Sequence, residues 1–122
     1  MNFIRFISSR FKSIIPAING IKLTIKNEKN TWVHLLATLI AIIAIILFKL
    51  DYIESLFIIS AIFIVWICEI FNTSIEYTLD FISLENHPKI KNIKDISAAG
   101  VFLSAVYAVV VAVYILFNNL LN

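Results

Sequence analysis

The chain has 122 residues, of which 61% are hydrophobic and 15% are charged, and its formal net charge at neutral pH is +2. Its mean hydropathy of +0.94 leaves too little polar surface to cover a water-soluble globule, which excludes a soluble fold. A chain of this length has room for a single core, so we expect one integral-membrane domain over residues 1–122.

Residues 1–30 predict a helix that lies on the membrane surface. Isoleucine and phenylalanine recur here at helical spacing, with arginine, lysine and serine between them, so the apolar side chains share one helical face. The basic side chains suit anionic lipid headgroups. Pro16 is expected to kink or divide this helix. An amphipathic helix packed on other protein is the alternative, which the apolar composition of the whole chain disfavours.

Three further segments are long and apolar enough to be transmembrane helices. Residues 31–48 contain no Asp, Glu, Lys or Arg, and at about 1.5 Å per residue they cross most of a hydrocarbon layer of about 30 Å. Residues 52–82 form the second span, and residues 96–117, which are uncharged, form the third. The predicted fold class is therefore an all-α membrane protein with an N-terminal amphipathic surface helix and three transmembrane helices.

The distribution of Lys and Arg predicts the orientation of these helices. Six of the ten precede the first span, Lys49 follows it, and the last three lie in the connection over residues 83–95. Cytoplasmic segments carry the excess of positive charge, so the N-terminus is expected in the cytoplasm and the C-terminus outside the membrane. The connection is then a cytoplasmic loop, and Asp95 or Ser97 is expected to cap the third span.

A row of polar residues runs along the second span. On a helical projection its members lie within about 100° of one another: Glu69, Asn72, Thr73, Glu76 and Asp80. A charged side chain near the centre of a membrane helix costs about 2.5 to 3.5 kcal/mol, so a row of acids indicates a function. A solvated face beyond the bilayer is the alternative, which suits Asp80 best and Glu69 least.

The depth of Glu69 suggests what this row does. It lies about 25 Å along the helix axis from the external start of the span, at the cytoplasmic headgroup level. One or two carboxylates hold Mg²⁺ when phosphate oxygens complete its shell, and a further acid can take a proton from an attacking hydroxyl. No glycine-rich phosphate-binding motif occurs in the sequence, which excludes a nucleotide cradle of the soluble type.

Two blocks of the sequence form a specific pattern. Residues 69–80 read E-I-F-N-T-S-I-E-Y-T-L-D, and His87-Pro88 is followed by K-D-I-S-A-A-G at residues 94–100. Together with Asn27-Glu28 upstream, they resemble the small prokaryotic diacylglycerol kinase and undecaprenol kinase family over roughly residues 10–117. Within that family, the W-V-H sequence at residues 32–34 is more similar to the undecaprenol kinase branch than to the enterobacterial diacylglycerol kinase branch.

The resemblance implies a homotrimer whose sites are assembled at helix interfaces between subunits. It implies that Glu69 is the general base and that Asn72 positions the reacting groups, with Lys94 easing the charge on the phosphate. It also implies that Glu28 and Glu76 hold Mg²⁺. The nucleotide-binding residues that it implies are Arg10, Glu28, Glu76, Glu85, Asn86, His87, Lys94 and Asp95.

The predicted function is thus an ATP-dependent lipid kinase that transfers the γ-phosphate of Mg·ATP to undecaprenol or diacylglycerol. Its expected partners are ATP, a lipid alcohol and the bilayer, and no nucleic acid. A non-catalytic oligomeric transporter or structural subunit is the alternative, in which Glu69 and Glu76 would handle protons or cations. The cytoplasmic depth of Glu69 and the neighbouring Lys94 and Asp95 favour the kinase, because transporters place such groups nearer the bilayer midplane.

Overall fold

The computed structural model describes residues 3–83 and 87–121. Within these ranges the chain forms four α-helices and no strand: α1 (Phe3–Asn27), α2 (Lys29–Leu47), α3 (Tyr52–Ile82) and α4 (Pro88–Leu121). The last three are each long and apolar enough to cross a membrane. The predicted all-helical architecture with three apolar spans is therefore confirmed.

Helix α1 runs without a break through Pro16, so of the two expected effects of this proline, a kink or a division of the helix, the division does not occur. Proline has no backbone N–H, so one carbonyl of the preceding turn lacks its helical hydrogen bond. At an exposed position, water can donate to that carbonyl. The middle of α1 is exposed, including the apolar Phe11 and Ile15, whereas Thr24 near its end is buried. The helix therefore contacts the rest of the described chain through its C-terminal end.

The junction between α1 and α2 consists of one non-helical residue, Glu28, whose backbone is extended. The Thr31 side chain is fully buried beside this junction, and its hydroxyl donates to the Thr24 carbonyl at 3.3 Å. The Glu28 carbonyl accepts from the Thr31 backbone N–H at 3.2 Å. These bonds place the Glu28 carboxylate at the point where the two helices meet.

Helix α2 ends in a Schellman motif. The backbone N–H groups of Lys49 and Leu50 donate to the carbonyls of Ile46 and Ile45 at 3.4 and 3.2 Å, the two bonds that define this motif. Lys49 has a φ of 49°, in the left-handed region that glycine usually occupies at this position. The motif reverses the chain in a few residues, so that α3 returns beside α2.

Helices α3 and α4 pair along their lengths in opposite directions, and polar contacts join them at both ends. At the start of α3, Asp51 and Glu54 form a reciprocal capping box, and the Glu54 carboxylate also accepts from Asn119 Nδ2 at 2.9 Å. At the other end, Lys94 Nζ lies 2.6 Å from Asp80 Oδ1. These contacts set the register of α4 on α3.

Helix α4 begins earlier than the sequence predicts. The expected loop over residues 83–95 is helical from Pro88 onward, so Asp95 and Ser97 lie inside the helix and cap nothing. Proline suits the first turn of a helix, where its missing N–H has no partner to lose and its φ is already helical. The hydropathy pattern reports only the apolar part of this helix, which explains the error.

Replacing Lys49 by glycine is expected to stabilise the protein by about 1 kcal/mol, because the left-handed conformation costs a residue with a Cβ roughly this much. The change is measured by reversible unfolding in mixed detergent. Lys49→Ala is the matched control, because it removes the same charge and keeps the strain. Equal stability of the two variants would contradict the backbone explanation.

Candidate active site

A groove of about 340 Å³ lies along α3, with α2 on one side and α4 on the other. The three helices contribute to its lining in turn: Asn30, Val33 and His34, then Glu69, Asn72 and Glu76, then Ala98, Val101 and Phe102. The wall formed by α3 is polar and the wall formed by α4 is apolar. Such a groove suits a ligand that has one polar and one apolar part.

The Glu69 side chain is the buried acid of this groove. Only 3% of the residue is exposed, and its Oε2 lies 3.5 Å from His34 Nε2 on α2. One helical turn away, Trp66 Nε1 donates to Thr38 Oγ1 at 3.0 Å. The two contacts together keep the His34 side of α2 against the Glu69 side of α3.

Asn72 and Glu76 form the next turn of the polar wall. Asn72 Nδ2 donates to Glu76 Oε1 at 3.1 Å, while the buried Asn72 Oδ1 has no hydrogen-bond partner among the described residues. A buried carbonyl oxygen without a donor is costly and needs an explanation. The Asn72 side chain lines the groove, so a rotation of its amide would bring this oxygen to a ligand or a cation.

Glu28 approaches this wall from the α1–α2 junction. Asn27 Nδ2 donates to the Tyr77 hydroxyl at 2.7 Å, which ties the residue before Glu28 to the residue after Glu76. The pKa of Glu28 is raised from its ordinary value of 4.5, first by partial desolvation and then by the negative charges on α3, Glu76 foremost. The negative charge of Glu76 therefore disfavours ionisation of Glu28.

These groups have the chemistry of a magnesium site. No cluster of three or more His, Cys, Asp or Glu side chains suited to a metal occurs within residues 3–83 and 87–121. Mg²⁺, however, is often held by one or two carboxylates and the phosphate oxygens of its nucleotide. Two mutually repelling carboxylates, Glu28 and Glu76, and the unpartnered Oδ1 of Asn72 are the hard oxygen donors that this ion prefers.

Lys94 is the cationic group of α4 that contacts α3. It pairs with Asp80 across the α3–α4 interface, and Asp95, its neighbour in the sequence, is exposed. The Lys94 and Asp80 side chains are 36% and 50% exposed, and an ion pair this exposed is worth little. Lys94 can therefore exchange Asp80 for another anion at small cost.

His87 caps the start of α4. Its Nδ1 accepts from the Lys89 backbone N–H at 3.2 Å, and its carbonyl accepts from the Lys91 backbone N–H at 3.1 Å. A neutral His87 in this role carries its ring proton on Nε2. The N-terminus of α4 carries a partial positive charge, and Lys89 and Lys91 lie in its first turn. Both features favour the binding of an anion here.

Among the predicted nucleotide-binding residues that the structure describes, only Glu76 lines the groove. Arg10 is exposed on α1 and does not line the groove. Glu85 and Asn86 lie outside the described residues. Their roles therefore stay predictions.

Residues 16–116 match the sequence model of the family described as prokaryotic diacylglycerol kinase. The chain belongs to this family. It is also 34% identical over 110 residues to an undecaprenol kinase from Bacillus subtilis (strain 168), and the alignment covers 90% of this chain and 89% of that protein. The expected family and enzyme class are confirmed, and the protein is a lipid kinase embedded in the membrane.

Sequence reasoning missed the contact between His34 and the buried acid of this lipid kinase. It treated His34 only as part of a sequence that distinguishes two branches of the family. The signal that was available is the presence of an ionisable side chain inside an otherwise uncharged span, since such residues usually face a partner in the protein interior. The hydrogen bond between Asn27 and Tyr77 and the ion pair between Asp80 and Lys94 have no comparable signal in the sequence.

Replacing Glu28 by glutamine is expected to raise the melting temperature of the metal-free kinase at neutral pH. Folding raises the pKa of Glu28. The stability that the protonated carboxyl contributes is therefore fully present below the pKa of the unfolded state, and it is lost as pH rises through the pKa of the folded state. The gain from Glu28→Gln should therefore disappear below about pH 4.

Thermal unfolding in detergent with a chelator, followed from acidic to neutral pH, measures this effect. Glu54→Gln is the matched control, because the Glu54 carboxylate accepts backbone and asparagine N–H groups and its loss should destabilise the protein at neutral pH. A gain for Glu28→Gln that does not change with pH would contradict the repulsion.

Proposed function

We propose that the protein transfers the γ-phosphate of ATP to the hydroxyl of a membrane lipid alcohol. The observation that carries this proposal is the buried Glu69 carboxylate in a groove with one acidic wall and one apolar wall, in a chain of the prokaryotic diacylglycerol kinase family. A carboxylate in this position can accept the proton of an alcohol whose hydrocarbon part stays against apolar side chains.

In the proposed reaction, Glu69 accepts the hydroxyl proton while the lipid oxygen forms a bond to the γ-phosphorus. The bond between that phosphorus and the bridging oxygen to the β-phosphate breaks, and the products are a lipid phosphate and ADP. Asn72, held by its bond to Glu76, orients the reacting groups. Such transfer depends mainly on positioning and on stabilisation of charge.

Glu28 and Glu76 would hold Mg²⁺ together with the nucleotide. One of them lies at a helix junction and the other on α3. When it is bound, the ion neutralises the negative charge of the phosphate groups. Lys94 would exchange its contact with Asp80 for a phosphate oxygen, a charge-assisted bond of the stronger kind.

The orientation that we propose places the N-terminus and the start of α4 in the cytoplasm and the C-terminus outside the inner membrane. The nucleotide side of the groove, with Glu28 and Lys94, then faces cytoplasmic ATP. Helix α1 would lie on the membrane surface, which is consistent with its exposed apolar side chains. The many exposed apolar residues of the other helices are consistent with contacts to lipid and to further copies in a homotrimer.

The acceptor that we propose is undecaprenol. The identity to an undecaprenol kinase supports this choice, and so does the apolar wall that Val101 and Phe102 give the groove. A polyprenol needs hydrogen-bond partners only at its hydroxyl, whereas diacylglycerol adds two ester carbonyls. Buried polar groups that a ligand leaves unpaired reduce its binding, so selection depends on the groups around the hydroxyl.

Glu69→Gln is expected to lower turnover by about 10² to 10⁴-fold, because it removes the base and keeps the shape of the side chain. ATP binding and the melting temperature should stay close to those of the wild type. Glu54→Gln, the same change at the opposite end of α3, should retain turnover. Wild-type turnover in Glu69→Gln would refute the assignment of the base.

In a competition assay with both alcohols in one micelle, undecaprenol is expected to be phosphorylated at least as fast as diacylglycerol. The assay separates the two lipid phosphates and compares their initial rates at equal mole fractions. A strong preference for diacylglycerol would overturn the proposed acceptor and leave the lipid kinase activity intact.

A further inference from the structure

Glu69 meets one polar side chain among the described residues. The His34 imidazole lies 3.5 Å from its carboxylate, and the side chains of His34 and Glu69 are 15% and 4% exposed. Asn72, which lines the same groove, donates to Glu76 instead. The orientation of the buried carboxylate therefore depends on a residue from a different helix.

The contact is attractive only if the imidazole nitrogen that faces the acid carries a proton. An ionised carboxylate has acceptors and no donor, so His34 Nε2 must donate toward Glu69 Oε2. This holds for the imidazolium and for the neutral tautomer with its proton on Nε2. A buried carboxylate without such a partner would be strongly disfavoured in a low-dielectric groove.

A second polar contact joins α2 and α3 one turn away, and it does not involve the His34 side chain. The Thr38 hydroxyl donates to the His34 carbonyl at 2.8 Å and accepts from Trp66 Nε1 at 3.0 Å. Trp66 lies on α3 one turn before Glu69, so α2 and α3 are joined by two adjacent polar contacts. Only the contact between His34 and Glu69 reaches the groove, so the two contacts can be removed separately by mutation.

We propose that His34 is a positioning residue for the Glu69 base, an inference that rests on the proposed role of Glu69. His34 fixes one carboxylate oxygen and so directs the other oxygen of Glu69 to the acceptor hydroxyl. The hydroxyl proton moves to Glu69 and His34 keeps its own proton, so no additional reactant is needed. The role does not require His34 to contact either substrate.

The test compares His34→Met, which removes the donor, with His34→Gln, whose amide N–H can occupy the position of Nε2. His34→Met is expected to lower kcat by about 10- to 100-fold, the loss typical when a functional group loses the partner that orients it. KM for ATP should not change, because His34 does not contact the nucleotide. His34→Gln should recover most of the lost turnover.

Thr38→Val is the matched control, because it breaks the neighbouring contact between the same two helices and leaves the groove unchanged. It is expected to lower the melting temperature and to keep kcat within about twofold of the wild type. An equal loss of kcat in Thr38→Val and His34→Met would mean that helix packing alone is responsible, and would overturn the proposal.

A second pair of variants decides the question if His34→Met does not fold. His34→Asn has the same amide as His34→Gln and is one methylene shorter, so only the glutamine reaches Glu69. Equal turnover of these two variants, or wild-type kcat in His34→Met, would overturn the positioning role. The activity of Glu69→Gln separates the two possible failures. If that variant is inactive, only the positioning role of His34 is refuted. If it is active, the proposed reaction itself is refuted.

Discussion

The requirement that a buried carboxylate in an apolar helical protein has a partner organises this structure. Glu69 is buried on α3, where an unpaired charge would be strongly unfavourable. His34 supplies the partner from α2, and the bond between Thr38 and Trp66 is a second, separate polar contact between the same two helices. The environment of the proposed base thus depends on a side chain from another helix.

Helix α3 is the element on which the other three converge. It receives Asn27 from the end of α1, His34 from α2 and Lys94 from α4, each through a polar side chain. Apolar packing is not directional, and in lipid it gives helices little reason to prefer one register over another. The less exposed contact of His34 supplies specificity of this kind, and His34 also lines the groove.

The groove combines two surfaces that a lipid kinase needs close together. In the proposed reaction, the acidic side chains of α3, together with Glu28 at the α1–α2 junction, would hold the metal nucleotide. The apolar side chains of α4 would accompany the hydrocarbon chain. A lipid hydroxyl from the membrane and a phosphate donor from water would then meet at the carboxylate of Glu69.

The sequence by itself determined the apolar spans and the polar row from Glu69 to Asp80, because hydropathy and helical periodicity are local properties. The family motif added the expected roles of these residues. Only the tertiary structure decided that His34 faces Glu69, that Lys94 pairs with Asp80 and not with Asp95, and that α4 begins at Pro88. The two pairings join different helices, so they depend on register and rotation, which the pattern of one segment does not report. The start of α4 depends on a capping residue and a proline outside the apolar run, where hydropathy carries no signal.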